Sequence, residues 1–216
     1  MPFIEINSKR ILFIHIPKTG GTSVEKSMEK IEPLRMCLRT IPSIMRVPPE
    51  HMTMHDIEAL LGEGYFDYAF AIVRNPYKRL ESEYRMRNAL SKEQFYKGLP
   101  PFPYWLEQNL AKARRDETYL ANHLKPQVKF LGNNVKVFRY ETGLRAILEQ
   151  VRVDTGIDIP LVAERHLESS KEDVHIQWSM EALRMVEDLY ERDFALLGYP
   201  KRLVPFFPIP SEDGIL

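Results

Sequence analysis

The sequence predicts an α/β fold with a central, mostly parallel sheet and helices on its faces. Three short runs rich in β-branched and aromatic residues are typical of buried strands: Ile11–Ile16, Tyr68–Val73 and Val135–Phe138. Helical patterns separate these runs, and strands that alternate with helices form parallel sheets covered on both faces. Glycine and proline lie between the runs and helices and set the ends of the elements.

Local signals place the helices of the first half of the chain. They are predicted over Ser23–Lys30, His55–Leu61 and Tyr77–Asn88. Thr22 or Ser23 provides an N-cap hydroxyl for the first helix. Gly62 ends the second, and Pro76 fits the first turn of the third because that position needs no backbone donor. Residues 32–50 are rich in proline and are predicted to be irregular.

Periodicity places the helices of the second half. They are predicted over Phe102–Leu110, part of Glu117–Leu131, Gly143–Val151 and Ser179–Leu197. The last of these is the most amphipathic, because its apolar side chains recur every three to four residues. That apolar stripe consists of Leu183, Val186, Tyr190 and Phe194. Gly198 then stops the helix.

The charge balance restricts how the protein binds anions. Thirty basic residues offset thirty acidic ones, so the formal net charge is zero. A nucleic acid or a membrane surface is bound through a broad positive field, which this composition does not provide. Any anionic ligand must therefore be bound by a few well-placed groups.

Length and cysteine usage predict the class of protein. We expect a single domain over residues 1–216, with a core over about 10–199 and a Pro-rich tail over 200–216. Cys37 is the single cysteine, which excludes an internal disulfide and a zinc–thiolate site. No apolar run is long enough for a membrane span, and the first residues lack a secretory leader. These features predict a cytoplasmic protein; they do not predict its oligomeric state.

The segment after the first strand has the residue types of an anion-binding loop. It reads Pro17-Lys18-Thr19-Gly20-Gly21-Thr22-Ser23. Glycines let backbone N–H groups approach a phosphate, and the start of a helix adds partial positive charge. Lys18 adds a full charge, and Thr19, Thr22 and Ser23 add hydroxyl donors. The lysine precedes the glycines, unlike the order G-x-x-x-x-G-K-[ST], which argues against an ATPase or GTPase. The alternative is a plain strand–helix turn.

A second segment with suitable side chains follows the second strand, over residues 74–82. Arg74 stands at the strand end and can bind a phosphate in a bidentate manner. Ser82 follows two helical turns later and is predicted to face the same pocket. Because ligands bind beyond the carboxyl ends of parallel strands, both segments are predicted to border one crevice. Two anion sites indicate a ligand with two phosphate-like groups; an ion-paired Arg74 and an exposed Ser82 are the alternative.

Together the two segments resemble a known enzyme family. F-I-H-I-P-K-T-G-G-T-S at Phe13–Ser23 resembles the 5′-phosphosulfate loop of the sulfotransferases. A-I-V-R-N-P-Y-K-R-L-E-S at Ala71–Ser82 resembles their 3′-phosphate segment. The most similar branch is the carbohydrate sulfotransferases, including heparan 2-O-sulfotransferase-like and related bacterial proteins. Further similarity lies at His123–Gln127, Val137–Glu141 and Tyr190–Tyr199. The resemblance implies a P-loop-NTPase-like, three-layer fold.

The resemblance also implies a reaction. It is transfer of the sulfuryl group of 3′-phosphoadenosine 5′-phosphosulfate (PAPS) to an acceptor hydroxyl, which leaves adenosine 3′,5′-bisphosphate. Lys18 would stabilise the charge that develops on the leaving phosphate. The 5′-phosphate would be held by Lys18, Thr19, Gly20, Gly21, Thr22 and Ser23. Arg74 and Ser82 would hold the 3′-phosphate, the group that separates PAPS from ATP. The reaction needs no metal, and the sequence shows no metal-ligand cluster.

A hydroxyl acceptor needs a general base, and His51 is the predicted one. It lies between the two phosphate segments, where related proteins often carry a histidine, and an ordinary histidine titrates near neutrality. A surface loop histidine is the alternative. His55 is a weaker candidate, His15 is expected to be a core histidine, and His123 is either structural or lines the acceptor cleft. Lower-ranked bases are Glu25 and Glu50.

The acceptor is predicted to be a carbohydrate or glycolipid hydroxyl. Segments 32–50 and 88–118 would border the cleft, and arginines with Tyr104 and Trp105 suit an acidic, sugar-bearing acceptor. The arginines in and near these segments are Arg35, Arg39, Arg46, Arg85, Arg87, Arg114 and Arg115. Solvated helix faces explain the same residues.

Two other functions compete with sulfuryl transfer. A small-molecule or nucleotide kinase with a variant phosphate loop is disfavoured, because no acidic metal ligand follows a strand as phosphoryl transfer requires. A non-catalytic nucleotide-binding member of the same fold would be favoured if the general base were missing.

Overall fold

The computed structural model describes residues 1–38, 41, 44–160 and 174–203 of the chain. Its sheet has four strands in the order β1-β2-β3-β4. The strands are β1 (Phe3–Ile6), β2 (Lys9–Ile14), β3 (Tyr68–Val73) and β4 (Val135–Arg139). β1 is antiparallel to β2, whereas the β2–β3 and β3–β4 pairs are parallel. The predicted mixed α/β architecture with a mostly parallel sheet is therefore present.

Strand β1 was not predicted from the sequence. Asn7 and Ser8 join β1 to β2 with positive φ angles of 49° and 60°, as in the two-residue turn that closes a tight hairpin. β2 also ends at Ile14 rather than Ile16, so His15 and Ile16 belong to the loop that follows. This shift brings the polar ring of His15 out of the sheet and into the crevice region.

Seven helices lie in the described part of the chain. They are α1 (Gly21–Met28), α2 (Met54–Leu61), α3 (Pro76–Phe95), α4 (Phe102–Arg115), α5 (Leu144–Thr155), α6 (Met180–Leu189) and α7 (Glu191–Leu197). Short 3-10 turns cover Pro49–His51, Gln127–Phe130 and Tyr140–Thr142. Helices α3 and α4 extend several residues beyond their predicted ends. Arg39 and residues 204–216 of the predicted tail lie outside the described residues.

The predicted helix over Ser179–Leu197 is two helices, which meet at Tyr190. Tyr190 leaves helical geometry, with φ −105° and ψ 22°. Its side chain is buried, and its hydroxyl donates to the carbonyl of Leu124 at 2.7 Å. Periodicity alone did not reveal the break, because the predicted apolar stripe continues through it and packs on the same side of the sheet.

Side chains alternate between the two faces of the sheet, so each face has its own core. One core contains Leu12 and Ile14 of β2 and packs against α2, α3, α4, α6 and α7. The other contains Ile11 and Phe13 of β2 and packs against α1 and α5. Helices thus cover both faces in three layers, and the carboxyl ends of β2 and β3 open at one edge. No described helix has both the length and the apolar character needed to span a membrane.

Candidate active site

The two predicted anion-binding segments meet at the carboxyl ends of β2 and β3. Arg74 follows β3, and its Nη1 donates to the carbonyl of Lys18 at 3.2 Å. The side chain of Gln127 holds the Arg74 backbone from both sides: the Arg74 N–H donates to Gln127 Oε1, and Gln127 Nε2 donates to the Arg74 carbonyl, each at 2.8 Å. The guanidinium also lies over the ring of Tyr140, 4.5 Å from its centroid. Arg74 is therefore fixed at the crevice edge.

The loop after β2 is shaped by two residues with positive φ. Lys18 has φ 70° and Gly20 has φ 89°. Glycine adopts this region freely, whereas for lysine it costs of order 1 kcal/mol. Thr19 is fully buried, and its hydroxyl donates to the carbonyl of Ile16 at 2.8 Å. The hydroxyl hydrogen of Thr19 is thus used inside the loop and not on a ligand.

The start of α1 differs from the predicted one, because the N-cap is Gly20 and no side chain caps it. The first bonds of the turn run from the N–H groups of Ser23 and Val24 to the Gly20 carbonyl, at 3.1 and 3.4 Å. The N–H groups of Gly21 and Thr22 precede these bonds and have no partner within the helix. Thr22 and Ser23 are half-buried. These donors and the helix dipole suit an anion.

Both loop glycines are required by close packing. A Cβ on Gly20 would stand 2.9 Å from Tyr140 Cε2. A Cβ on Gly21 would stand 2.1 Å from the ring of His15, which excludes any other residue there. His15 is buried, as predicted for a core histidine, and its Nδ1 is 2.5 Å from Glu25 Oε1. The loop backbone therefore lies directly against a histidine–carboxylate pair.

Lys18 lies among charged groups of α3 and the segment after α4. Burial lowers the pKa of Lys18, and Glu83 opposes that shift. The Glu83 side chain is only 1% exposed; Arg87 Nε lies 2.5 Å from its Oε1 and His123 Nδ1 lies 2.8 Å from its Oε2. Burial alone would raise the pKa of Glu83, but His123, Arg87 and Lys18 together lower it to about 2. An ammonium group that is partly shielded from water, such as that of Lys18, interacts strongly with nearby charge.

Helix α3 binds the loop through Arg79, to which the sequence analysis gave no role. Arg79 is 2% exposed. Its guanidinium donates to three carbonyls: Pro17 at 3.0 Å, His123 at 2.8 Å and Lys125 at 2.9 Å. Ser82, one turn later, is half-buried, and no hydrogen bond among the described residues joins it to Arg74. The structure thus brings Arg74 to the loop but gives no contact that pairs Ser82 with it.

His51 is buried rather than on a surface loop. It is 8% exposed and ends the 3-10 turn Pro49–His51. Its ring lies edge-on between two others, with centroids 5.1 Å from His15 and 4.8 Å from His123. Burial lowers the pKa of His51 to about 4, so the expectation that it titrates near neutrality is wrong. At pH 7 this histidine is neutral and can accept a proton.

A cavity of about 520 Å³ is lined by His55 and by residues near His51, although His51 itself is not among the described lining residues. Its lining includes Met52 and Thr53, which follow His51, and Asn122, whose Nδ2 donates to the His51 carbonyl at 2.9 Å. The successive residues Leu120, Ala121 and Asn122 all have φ between 54° and 68°. Such strain costs of order 1 kcal/mol at each residue and clusters at functional sites. We interpret the cavity as a candidate place for an acceptor, and His55 is the histidine that lines it.

The predicted acceptor-binding arginines are mostly engaged elsewhere. Of the described ones, only Arg46 lines the cavity. Carboxylates pair with four others: Arg35 with Glu5, Arg85 with Glu81, Arg87 with Glu83 and Arg114 with Asp188. Trp105 belongs to the hydrophobic core and is 4% exposed, so its predicted place beside the acceptor is wrong.

The fold brings His15 to the adjacent residues Glu50 and His51, and the three form a group of potential metal ligands. One ligand atom each of His15, Glu50 and His51 lies within 4.8 Å of the others. Glu50 Oε1 lies 3.3 Å from His15 Nδ1 and 3.4 Å from His51 Nε2, distances at which a carboxylate and an imidazole can form hydrogen bonds. His15 Nδ1 is moreover bonded to Glu25. We interpret the group as a hydrogen-bonded network rather than a metal centre.

Comparison with known proteins identifies the family. A family model described as "Sulfotransferase family" matches residues 2–200. No curated protein and no solved structure gave a significant match. The matched region contains the Lys18 loop, Arg74 and the three clustered histidines, and it also includes strand β1. Because the match covers most of the 216 residues, the chain belongs to the sulfotransferase family.

Proposed function

We propose that this protein transfers the sulfuryl group of PAPS to a hydroxyl of a carbohydrate or glycolipid acceptor. The observation that carries the proposal is the contact between Arg74 and the Lys18 carbonyl at the ends of two adjacent parallel strands. It brings the Arg74 guanidinium to the backbone of the loop that carries Lys18 and leads into the start of helix α1. That combination suits a nucleotide with phosphates at both ends of its ribose. It also agrees with a P-loop-NTPase-like arrangement of the sheet and loop.

Each residue of the crevice has a distinct role in this proposal. The N–H groups of Gly20, Gly21 and Thr22 and the Ser23 hydroxyl hold the 5′-phosphate. Lys18 neutralises the charge that this phosphate gains as its bond to sulfur breaks. Arg74 holds the 3′-phosphate, with Ser82 as a second donor. One of the five N–H groups of the guanidinium is used on the Lys18 carbonyl, so others are left for the ligand.

His51 is the proposed general base. Its low pKa keeps it neutral at pH 7, and Met52 and Thr53, which follow it in the chain, line the candidate acceptor cavity. Catalytic hydrogen bonds are often long in ligand-free enzymes and shorten in the complex. The burial of His51 also favours a second function, that of a non-catalytic nucleotide-binding protein, because a histidine that does not contact the acceptor cannot act as its base.

Ligand-dependent thermal stability tests the nucleotide site. Adenosine 3′,5′-bisphosphate is expected to raise Tm progressively with concentration, since a ligand at 100 times its Kd stabilises the folded state by about 2.7 kcal/mol. ATP with magnesium is expected to give a much smaller shift, because it lacks the 3′-phosphate. Equal shifts would argue for the kinase alternative. Transfer of radiolabelled sulfate from PAPS to a panel of polysaccharides and lipids then separates an enzyme from a binding protein.

Arg74→Ala is expected to weaken bisphosphate binding by roughly 10- to 150-fold, because a hydrogen bond to a charged group contributes about 1.5–3 kcal/mol. At saturating PAPS the transfer rate is expected to fall much less. Isothermal titration calorimetry measures the Kd, with Arg184→Ala on the exposed face of α6 as the matched control. Arg74→Lys keeps the charge but loses the bidentate geometry, so its Kd is expected to lie between those of the unaltered protein and Arg74→Ala. An unchanged Kd in Arg74→Ala would remove Arg74 from the site.

A further inference from the structure

One carboxylate oxygen lies between the two buried histidines nearest the loop. Glu50 Oε1 is 3.3 Å from His15 Nδ1 and 3.4 Å from His51 Nε2. His15 Nδ1 also lies 2.5 Å from Glu25 Oε1. All four side chains are buried, so little water competes for these contacts. The order along the network is Glu25, His15, Glu50 and His51, and it runs from helix α1 to the 3-10 turn Pro49–His51.

The two nitrogens of His51 have different surroundings. Nε2 faces the Glu50 carboxylate, which can only accept a hydrogen bond when ionised. Nδ1 is buried and has no hydrogen-bond partner among the described residues. In a neutral imidazole, the nitrogen that faces a carboxylate carries the hydrogen and the other keeps its lone pair. The surroundings therefore select the tautomer protonated at Nε2, with a bare lone pair on Nδ1.

We propose that Glu50 is a positioning residue that fixes His51 in this tautomer, so that Nδ1 is the atom that takes the acceptor proton. The inference rests on the proposed function, because it names the base atom of that reaction. The acceptor O–H proton goes to His51 Nδ1 while the acceptor oxygen forms its bond to sulfur. The bond between sulfur and the bridging phosphate oxygen breaks, and its electron pair remains on adenosine 3′,5′-bisphosphate. The imidazolium that results faces the carboxylate of Glu50.

The charged groups around His51 agree with this role. Glu50 is the neighbour that favours the protonated ring, whereas burial and the two other histidines disfavour it. Glu25 from α1 acts on His15, and Glu83 from α3 acts on His123, so each flanking ring has a carboxylate of its own. The Met1 amine also lies near Glu50 and Glu25, and burial lowers the pKa of that amine to about 5. Glu50 is thus the carboxylate that faces His51 directly.

Nitrogen-15 NMR of the unaltered protein, labelled in histidine, tests the tautomer without any kinetic measurement. At pH 7 we expect the His51 signals of a ring protonated at Nε2 and unprotonated at Nδ1. His51→Gln identifies the signals by their disappearance. The opposite tautomer, with hydrogen on Nδ1, would overturn the proposal.

Glu50→Gln tests the consequence for transfer, because it keeps the shape of the side chain and removes the charge. We expect kcat to fall by roughly 10- to 100-fold, which is at or below the lower end of the roughly 10²–10⁴-fold that general base catalysis contributes, because His51 itself remains. Loss of the carboxylate lowers the pKa of His51 further, so the acidic limb of the pH–rate profile is expected to move to lower pH. Bisphosphate affinity is expected to stay the same, and Glu50→Asp is expected to retain more activity than Glu50→Gln.

The controls separate this proposal from the function on which it rests. Glu63→Gln changes an exposed carboxylate and is expected to behave as the unaltered protein. Wild-type kcat and an unchanged pH profile in Glu50→Gln would contradict the role of Glu50 while leaving sulfuryl transfer intact. Absence of transfer by the unaltered protein would contradict the proposed function instead. If Glu50→Gln fails to fold, the tautomer of the unaltered protein still decides the inference.

Discussion

Lys18→Ala is expected to lower kcat for sulfuryl transfer by about 10²–10³-fold, the usual cost of removing a donor from a developing negative charge. The effect belongs to the transition state, because the bridging oxygen gains charge only as its bond to sulfur breaks. Lys18 is half-buried, and this burial lowers its pKa; electrostatic interactions are stronger in such surroundings than in water. The Kd for bisphosphate is expected to change less than about tenfold, since other loop donors remain.

Single-turnover kinetics at saturating PAPS, together with calorimetric Kd values, measure the two quantities separately. Lys30→Ala is the control, because Lys30 is exposed beyond the end of α1. Lys18→Gly is informative as well: it relieves the positive φ of 70° and is expected to raise stability by about 1 kcal/mol while losing as much activity as Lys18→Ala. Weaker binding with an unchanged rate at saturating PAPS in Lys18→Ala would instead indicate a ground-state contact only.

The sequence was sufficient to predict the crevice because the signals for it are local. The alternation of apolar strands and helices predicts a parallel sheet, and the polar segments after Ile14 and Val73 then must lie at one edge. The glycines at 20 and 21 mark the loop, and their packing against Tyr140 and His15 explains why glycine is needed. The contact between Arg74 and Lys18 follows from this topology.

The remaining parts of the site depend on contacts between distant segments, for which the sequence has no local signal. Gln127 was noted within a family-like stretch, but nothing in that stretch shows that its amide holds the Arg74 backbone. His51 was expected near a cleft, yet its burial and lowered pKa result from packing against His15 and His123. Strand β1 is only four residues long, and its turn, Asn7-Ser8, is the signal that could have revealed it.

Arg79→Met is expected to lower the free energy of unfolding by about 3–5 kcal/mol, because each buried acceptor left without a donor costs about 1–3 kcal/mol and three carbonyls lose theirs. Methionine keeps much of the side-chain volume but donates no hydrogen bond, so the carbonyls of Pro17, His123 and Lys125 lose their partner. For a chain of this size the change corresponds to a fall in Tm of roughly 6–20 °C. Urea denaturation and calorimetry measure both quantities.

The same substitution distinguishes a purely structural arginine from one that shapes the site. Arg79 joins the loop before Lys18 to the segment that contains His123, so its loss is expected to raise the bisphosphate Kd even at temperatures where the variant is folded. Arg79→Lys supplies one charged donor without the fork and is expected to lose less stability than Arg79→Met. Arg115→Met, on the exposed face of α4, is expected to stay within about 0.5 kcal/mol of the unaltered protein. A large loss of stability with unchanged affinity would show that the loop keeps its shape without Arg79, and that its own hydrogen bonds, including the one from Thr19 to Ile16, are sufficient.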